Sequence, residues 1–352
     1  MNVGGMMDKQ LRHVNIPIFV PHRGCPHSCV FCNQHTITGQ HGGVTTEMVC
    51  KTVEEHLATL RPGTDVEVAF FGGSFTAIDP CVQEQLLGAV QPYLKSGQVR
   101  GIRCSTRPDC INEEIIERLR TYGVTAVELG VQSTDAQVLA LSGRGHNAED
   151  AFYAAKLLGE AGIELGLQMM LGLPGDSREK AINTARDIIA MKPQTVRIYP
   201  TLVLEGTALH DQFCLGKYVP LTLEETVLQC AVLLQMFGRE GISVIRVGLA
   251  TTDGVNVDTA IGPYHPALRE LAEGRMIRTM LEKFVREWLP KRLTINCNPK
   301  ELSKVIGHKR ENVMYFAQQF GVMMNVFADA DVLQGQLIVC EKNQKHVLPI
   351  LG

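Results

Sequence analysis

No stretch of this sequence approaches the ~18 consecutive apolar residues that a membrane-crossing helix needs, so no such helix is expected. The N-terminal MNVGGMMDKQLRH has no apolar signal core, so a cytoplasmic protein is expected. An excess of one charge is also missing. With 34 Lys and Arg against 37 Asp and Glu, the formal net charge is −3. No global field draws the chain to nucleic acid or to an anionic membrane, and any such binding must come from a local patch. Internal repeats and low-complexity tracts are absent. Outside one cluster there is no CxxC pair: Cys50, Cys81, Cys104, Cys110, Cys214, Cys230, Cys297 and Cys340 are scattered, which argues against a second metal cluster. In a reducing compartment such residues are small buried apolar side chains rather than disulfides.

What is present is a 352-residue chain with 45% apolar residues, enough for one large domain and an appendage. From Ile16 onward, β-rich runs alternate with helical stretches. Strands are expected at Ile16–Val20, Val66–Phe71, Gly101–Thr106, Ala126–Val131, Glu164–Leu171 and Thr195–Pro200, with helices between them. Six strand–helix units in this order predict an α/β fold with a parallel sheet and right-handed crossovers, and loops at the carboxyl ends of such strands are where ligands bind. After Trp288-Leu289-Pro290 the pattern changes to strand, helix, turn, helix, strand, strand. The expected division is a tail (1–12), a strand–helix domain (13–247), a helical connection (248–289) and a small α/β domain (290–352).

Three cysteines crowd the loop after the first strand, in PHRGCPHSCVFCNQH: Cys25, Cys29 and Cys32. Three thiolates on a short loop can hold three irons of a cubane and leave the fourth open to a ligand. Spacing alone leaves two alternatives standing. Zinc would take Cys25, Cys29, Cys32 and His35 as a closed site, or the three thiols would carry no metal. His22 and His27, like His35, read most economically as solvated or supporting groups.

The Cys25-x3-Cys29-x2-Cys32 spacing, with Phe31 before the last cysteine, resembles the signature of the radical S-adenosylmethionine (SAM) superfamily. The resemblance implies a partial (β/α)6 TIM-type barrel and a [4Fe–4S] cluster whose open iron takes the methionyl amine and carboxylate of SAM. One-electron cleavage of the sulfonium then gives a 5′-deoxyadenosyl radical. It also implies an electron donor of the flavodoxin or ferredoxin type. FFGGSFT stands where the family has a glycine-rich motif holding the methionyl amine, which would fall to Gly72, Gly73 and Ser74, although many members have Glu at the position of Ser74. ELGVQS, SGRGH and LGLPGD resemble the oxygen-independent coproporphyrinogen oxidases and the Elongator catalytic subunit. By that likeness Gln132 and Arg144 would contact the ribose and carboxylate of SAM. Gln168, where the oxidases often have Asp, would face the ribose.

STRPD (105–109) and RIYPTLVLEGTAL (197–209) are similar to the Elongator branch in particular, and there Arg107 and Tyr199 would line the substrate cavity. The cysteine spacing is tighter than in Elongator subunits, and the chain ends too soon for their acetyltransferase domain, so acetyl transfer is not expected. KVIGHKRENVMYFAQQFGVMMNVFAD (304–329) follows the spacing of a KH RNA-binding module, with Gly307 as the first glycine of its loop and Arg310 in place of the second. His308, Lys309 and Arg310 would meet phosphates, or the module is kept for packing or dimerisation. Three functions follow: a radical enzyme acting on RNA, most plainly tRNA; a radical enzyme acting on a small metabolite or tetrapyrrole-like molecule; and a non-catalytic RNA-binding protein with structural zinc.

Overall fold

The structure is a computed structural model that describes residues 13–20, 25, 27–32, 43–251, 255–256, 258–341 and 344–351. In chain order its elements are β1 (His13–Val20), α1 (Thr46–Thr59), β2 (Asp65–Gly72), α2 (Pro80–Lys95), β3 (Gly101–Thr106), α3 (Glu113–Thr121) and β4 (Val124–Gln132). Then come α4 (Ala136–Leu141), α5 (Ala148–Glu160), β5 (Glu164–Leu171), α6 (Arg178–Ala190), β6 (Thr195–Pro200), α7 (Ala208–Cys214), α8 (Leu223–Arg239) and β7 (Ser243–Val247). The chain closes with α9 (Leu268–Trp288), β8 (Arg292–Cys297), α10 (Leu302–Ile306), α11 (Glu311–Phe320), β9 (Met323–Ala328), β10 (Gln336–Glu341) and β11 (Gln344–Pro349). Strands β1 to β7 form one sheet in chain order, and a separate sheet runs β11-β10-β8-β9.

Two compact units divide the chain: Met1–Val131 with Gly143–Leu167, and Gln132–Ser142 with Gln168–Gly352. In the first, β1 pairs parallel with β2, β2 with β3 and β3 with β4. Its strands are buried on both faces: Ile16, Val68, Phe70, Ile102, Val127 and Leu129 lie fully buried on one, and Ala69 and Ala126 lie with Glu67, Arg103 and Glu128 on the other. The helices begin where the sequence supplies a cap. Asp79 accepts from the Cys81 amide at 2.8 Å ahead of Pro80, Asn112 accepts from Ile115 at 2.9 Å, and Asn147 and Asp150 form a reciprocal capping box. A buried ionic knot ties the strands together: Arg103 donates to Glu67 and to Glu164 at 3.1 Å each and lies 3.7 Å from Glu128. Removing one member of such a knot leaves uncompensated buried charge, at a cost of about 3–5 kcal/mol.

In the second unit, β6 pairs parallel with β7 across a register shift at Val196/Arg197. The sequence pattern predicts six strands, and this seventh strand extends the sheet. SVIRV is short and carries an exposed arginine, so it lacks the apolar run that marks its neighbours. The C-terminal sheet has Leu293, Ile295, Cys297, Leu337 and Val339 buried on one face, with Val305 of α10 and Phe316 of α11 also fully buried. Strand β11 was also not expected, because QKHVLP is polar and ends in Pro, the composition of an edge strand.

Candidate cofactor site

Cys25, Cys29 and Cys32 lie on the loop beyond β1, all three half-buried and none in a disulfide. The Cys32 amide donates to the Cys29 carbonyl at 3.1 Å, closing a tight turn around the last two thiols. Where β2 ends, Gly72 has a φ of 113°, and a Cβ there would lie 2.5 Å from the Val20 carbonyl oxygen. Only glycine permits that crossing. It brings the Gly73 amide to the Val20 carbonyl at 2.9 Å and the Ser74 hydroxyl to within 3.5 Å of the Cys25 sulfur.

The Ser142–His146 loop approaches from the other side. Gly143 and Gly145 both have positive φ, and a Cβ on Gly145 would stand 2.2 Å from the His27 ring. Alternating glycines therefore press the loop against the cysteine turn and fix Arg144 between them. Its Nη1 donates to the Cys29 sulfur at 3.2 Å, and its Nη2 donates to the Gly130 carbonyl. Arg107, only 3% exposed, forks onto Asp109 at 3.0 Å through each of two nitrogens and also donates to the Arg144 carbonyl. Arg107 thus braces the backbone of Arg144 while its Nη1 stays unpartnered. Burial works against its charge, but the hydrogen bond and charge of Asp109, with that of Cys29, hold its pKa above the ordinary value.

His146 is the site residue that sequence reasoning passed over, since a lone histidine after a glycine loop gives no signal of its own. Burial first, and then the charge of Arg144, push its pKa down to about 4, so the ring is neutral near pH 7. Its Nε2 lies 3.2 Å from the Val131 carbonyl, which assigns the proton to that nitrogen. Its Nδ1 is buried without a partner, as are Arg107 Nη1, Arg144 Nε and Ser105 Oγ. Unsatisfied buried polar groups cost about 1–3 kcal/mol each, so those on the neighbouring Arg107, Arg144 and His146 mark a place built for a polar ligand.

Gln132, Gln168 and Tyr199 belong to the second unit. Gln132 has a φ of 65°, unusual for a side chain with a Cβ, and its buried Oε1 has no partner. The backbone just beyond it is anchored to α6: Ser133 meets the Thr184 hydroxyl at 3.3 Å, and Thr134 donates to Asp187 at 2.6 Å. Gln168 and Tyr199 are half-buried on β5 and β6.

Among the described residues no three His, Cys, Asp or Glu side chains converge on a point where they would hold one metal ion. His22 and His35 lie outside the described residues. Residues 19–188 match the profile of the "Radical SAM superfamily", and residues 193–278 that of the "Radical_SAM C-terminal domain". The chain belongs to the radical SAM superfamily. Within the superfamily its relatives are those of Elongator complex protein 3. It is 28% identical over 248 residues to the "tRNA uridine(34) acetyltransferase" of Methanocaldococcus jannaschii, covering 58% of this chain and 45% of that one. It is 32% identical over 182 residues to human "Elongator complex protein 3", covering 50% and 32%. This radical SAM chain therefore spans less than half the length of either. The solved archaeal Elongator protein 3 of Methanocaldococcus infernus, lacking its first 46 residues, superposes over 94% of this chain and 74% of its own. The TM-score is 0.59 at 20% identity, which speaks to the fold alone.

The chain is accordingly a radical SAM enzyme, and the family implies a [4Fe–4S] cluster and SAM. The residues present fit them. Three thiols share one turn, a guanidinium touches one of the sulfurs, and unpartnered nitrogens of Arg107 and Arg144 are suited to a carboxylate.

Proposed function

We propose that this radical SAM enzyme modifies RNA, with transfer RNA as its substrate. The contact between Arg144 and Cys29 carries the cofactor half of the reading, and the relatives named for uridine 34 of tRNA support the substrate half. When bound, the cluster and SAM supply one-electron cleavage of the sulfonium and so a 5′-deoxyadenosyl radical. The chain's own residues hold and orient. Cys25, Cys29 and Cys32 would ligate three irons, and Arg144 donates to the Cys29 sulfur at 3.2 Å, which fixes that thiol's place in the turn. The free Nε of Arg144 and Nη1 of Arg107 would take the carboxylate of SAM. The backbone at Gly72, Gly73 and Ser74 would take its amine, and Gln132 and Gln168 its ribose. Tyr199 would stand toward the substrate.

The reading places the enzyme in the cytoplasm with a flavodoxin or ferredoxin as reductant. It also retains the division at about residue 290, with the C-terminal domain as the part that meets RNA. To test it, enzyme reconstituted without oxygen is incubated with SAM, a reductant and total tRNA, and the digested nucleosides are analysed by mass spectrometry. A new nucleoside that depends on both enzyme and SAM is the expected result. 5′-Deoxyadenosine formation with no change in any nucleoside would overturn the RNA reading and favour a small-molecule substrate, the alternative to which the net charge of −3 points.

A further inference from the structure

We propose that the uncovered face of the C-terminal sheet is a docking surface for single-stranded RNA, with Phe327 as the platform on which a base stacks. This rests on the reading of RNA as substrate and names the part of the chain that would receive it.

Register defines the surface. Phe327 of β9 pairs with Asn296 of β8, Asn296 with Ile338 of β10, and Ile338 with Val347 of β11. These four residues form one row across all four strands, about 15 Å long at the usual strand spacing. The next row is Asn325, Thr294, Cys340 and Lys345, and beyond it Met323 pairs with Arg292. Side chains alternate between faces, so both rows lie opposite the buried Leu293, Ile295, Cys297, Leu337 and Val339. Phe327 is 55% exposed, Val347 58% and Met323 56%.

The composition of this face points to one class of partner. None of its strand positions is acidic, in a chain whose net charge is negative. Arg292 and Lys345 are exposed, and neither pairs with a carboxylate among the described residues. The amides Asn296, Asn325 and Gln336 and the hydroxyl of Thr294 offer both donors and acceptors. A protein-docking face has a contiguous apolar centre, whereas here the Ile338–Val347 pair is parted from Phe327 by Asn296, and Phe327 from Met323 by Asn325. An exposed ring on a sheet, flanked by cations and base-reading amides, is the arrangement that receives unstacked bases and their phosphates.

The loop Gly307–Arg310 is a separate element, joining the two helices of this domain. Lys309 and Arg310 have φ of 49° and 65°, and Asn312 fastens the loop to α9 by donating to the Gly274 carbonyl at 3.0 Å. It provides the comparison.

The test is fluorescence anisotropy of a labelled, unstructured single-stranded RNA titrated with the full chain. Phe327→Ala is expected to weaken binding roughly tenfold. Phe327→Trp retains affinity and gains an emission that RNA quenches, whereas RNA leaves the emission of the wild type, from Trp288 alone, unchanged. The Arg292→Gln/Lys345→Gln double variant lowers the slope of log affinity against log salt by about 1.4, two phosphates at about 0.7 each. All variants form 5′-deoxyadenosine at the wild-type rate without RNA, which shows an intact fold and cofactor site. Unchanged affinity in Phe327→Ala, or loss only in a Lys309→Ala/Arg310→Ala variant, overturns the surface and leaves the RNA reading standing. Failure of the wild type to bind any RNA overturns both.

Discussion

Replacing Arg144 with Ala separates holding the cluster from holding SAM. Its guanidinium makes a 3.2 Å contact with the Cys29 sulfur and caps the Gly130 carbonyl, and it keeps Nε free in a buried position. A hydrogen bond from a charged group is worth about 1.5–3 kcal/mol. Loss of a carboxylate contact at the middle of that range, about 2 kcal/mol, corresponds to roughly 30-fold weaker SAM binding. The thiols themselves are untouched, so iron content stays at the wild-type level. Arg144→Lys keeps the charge but not the planar fork and falls between the two. The assay is equilibrium binding of SAM to anaerobically reconstituted protein, with iron and sulfide measured on the same samples. SAM affinity unchanged in Arg144→Ala, or iron and SAM binding lost in equal proportion, would refute the argument.

Gly145→Ala puts a Cβ into the His27 ring at a φ of 71°, where L residues pay about 1–2 kcal/mol before any clash. The exposed His27 ring must turn aside and the backbone cost remains, so the melting temperature is expected to fall, read by calorimetry. The His146 pKa, pushed down to about 4 from 6.5, gives a pH signature. The unfolded chain binds this proton first, so the stabilisation is fully present above about pH 6.5 and is lost as pH falls toward 4. At about 1.4 kcal/mol per unit this amounts to a few kcal/mol. His146→Gln is expected to flatten the stability profile between pH 6.5 and 4, and a profile as steep as the wild type would contradict the burial argument.

The sequence was legible where local chemistry decides structure. Helix starts at Glu113 and Leu223 could be read directly because Asn112, and Thr222 with Glu225, write the cap into the chain. The cysteine turn and the two glycine loops were legible because their residue types have few other uses. What escaped depends on tertiary context. Strand β7 is identified by its pairing with β6 rather than by its own pattern, and β11 by its pairing with β10. Arg107 reads from sequence as a cavity residue. The structure commits it to Asp109, two residues on, and to the backbone of Arg144, 37 residues away. No periodicity encodes such a contact. The depressed His146 pKa likewise arises from burial beside two guanidiniums that the fold brings together.

The central claim is that Cys25, Cys29 and Cys32 leave one iron of a cubane for SAM. Mössbauer spectroscopy of the anaerobically reconstituted protein tests it most directly. The account predicts four irons, one of them distinct from the other three and changed when SAM is added. A spectrum in which all irons share one thiolate environment and ignore SAM, or a preparation that holds zinc alone, would contradict it.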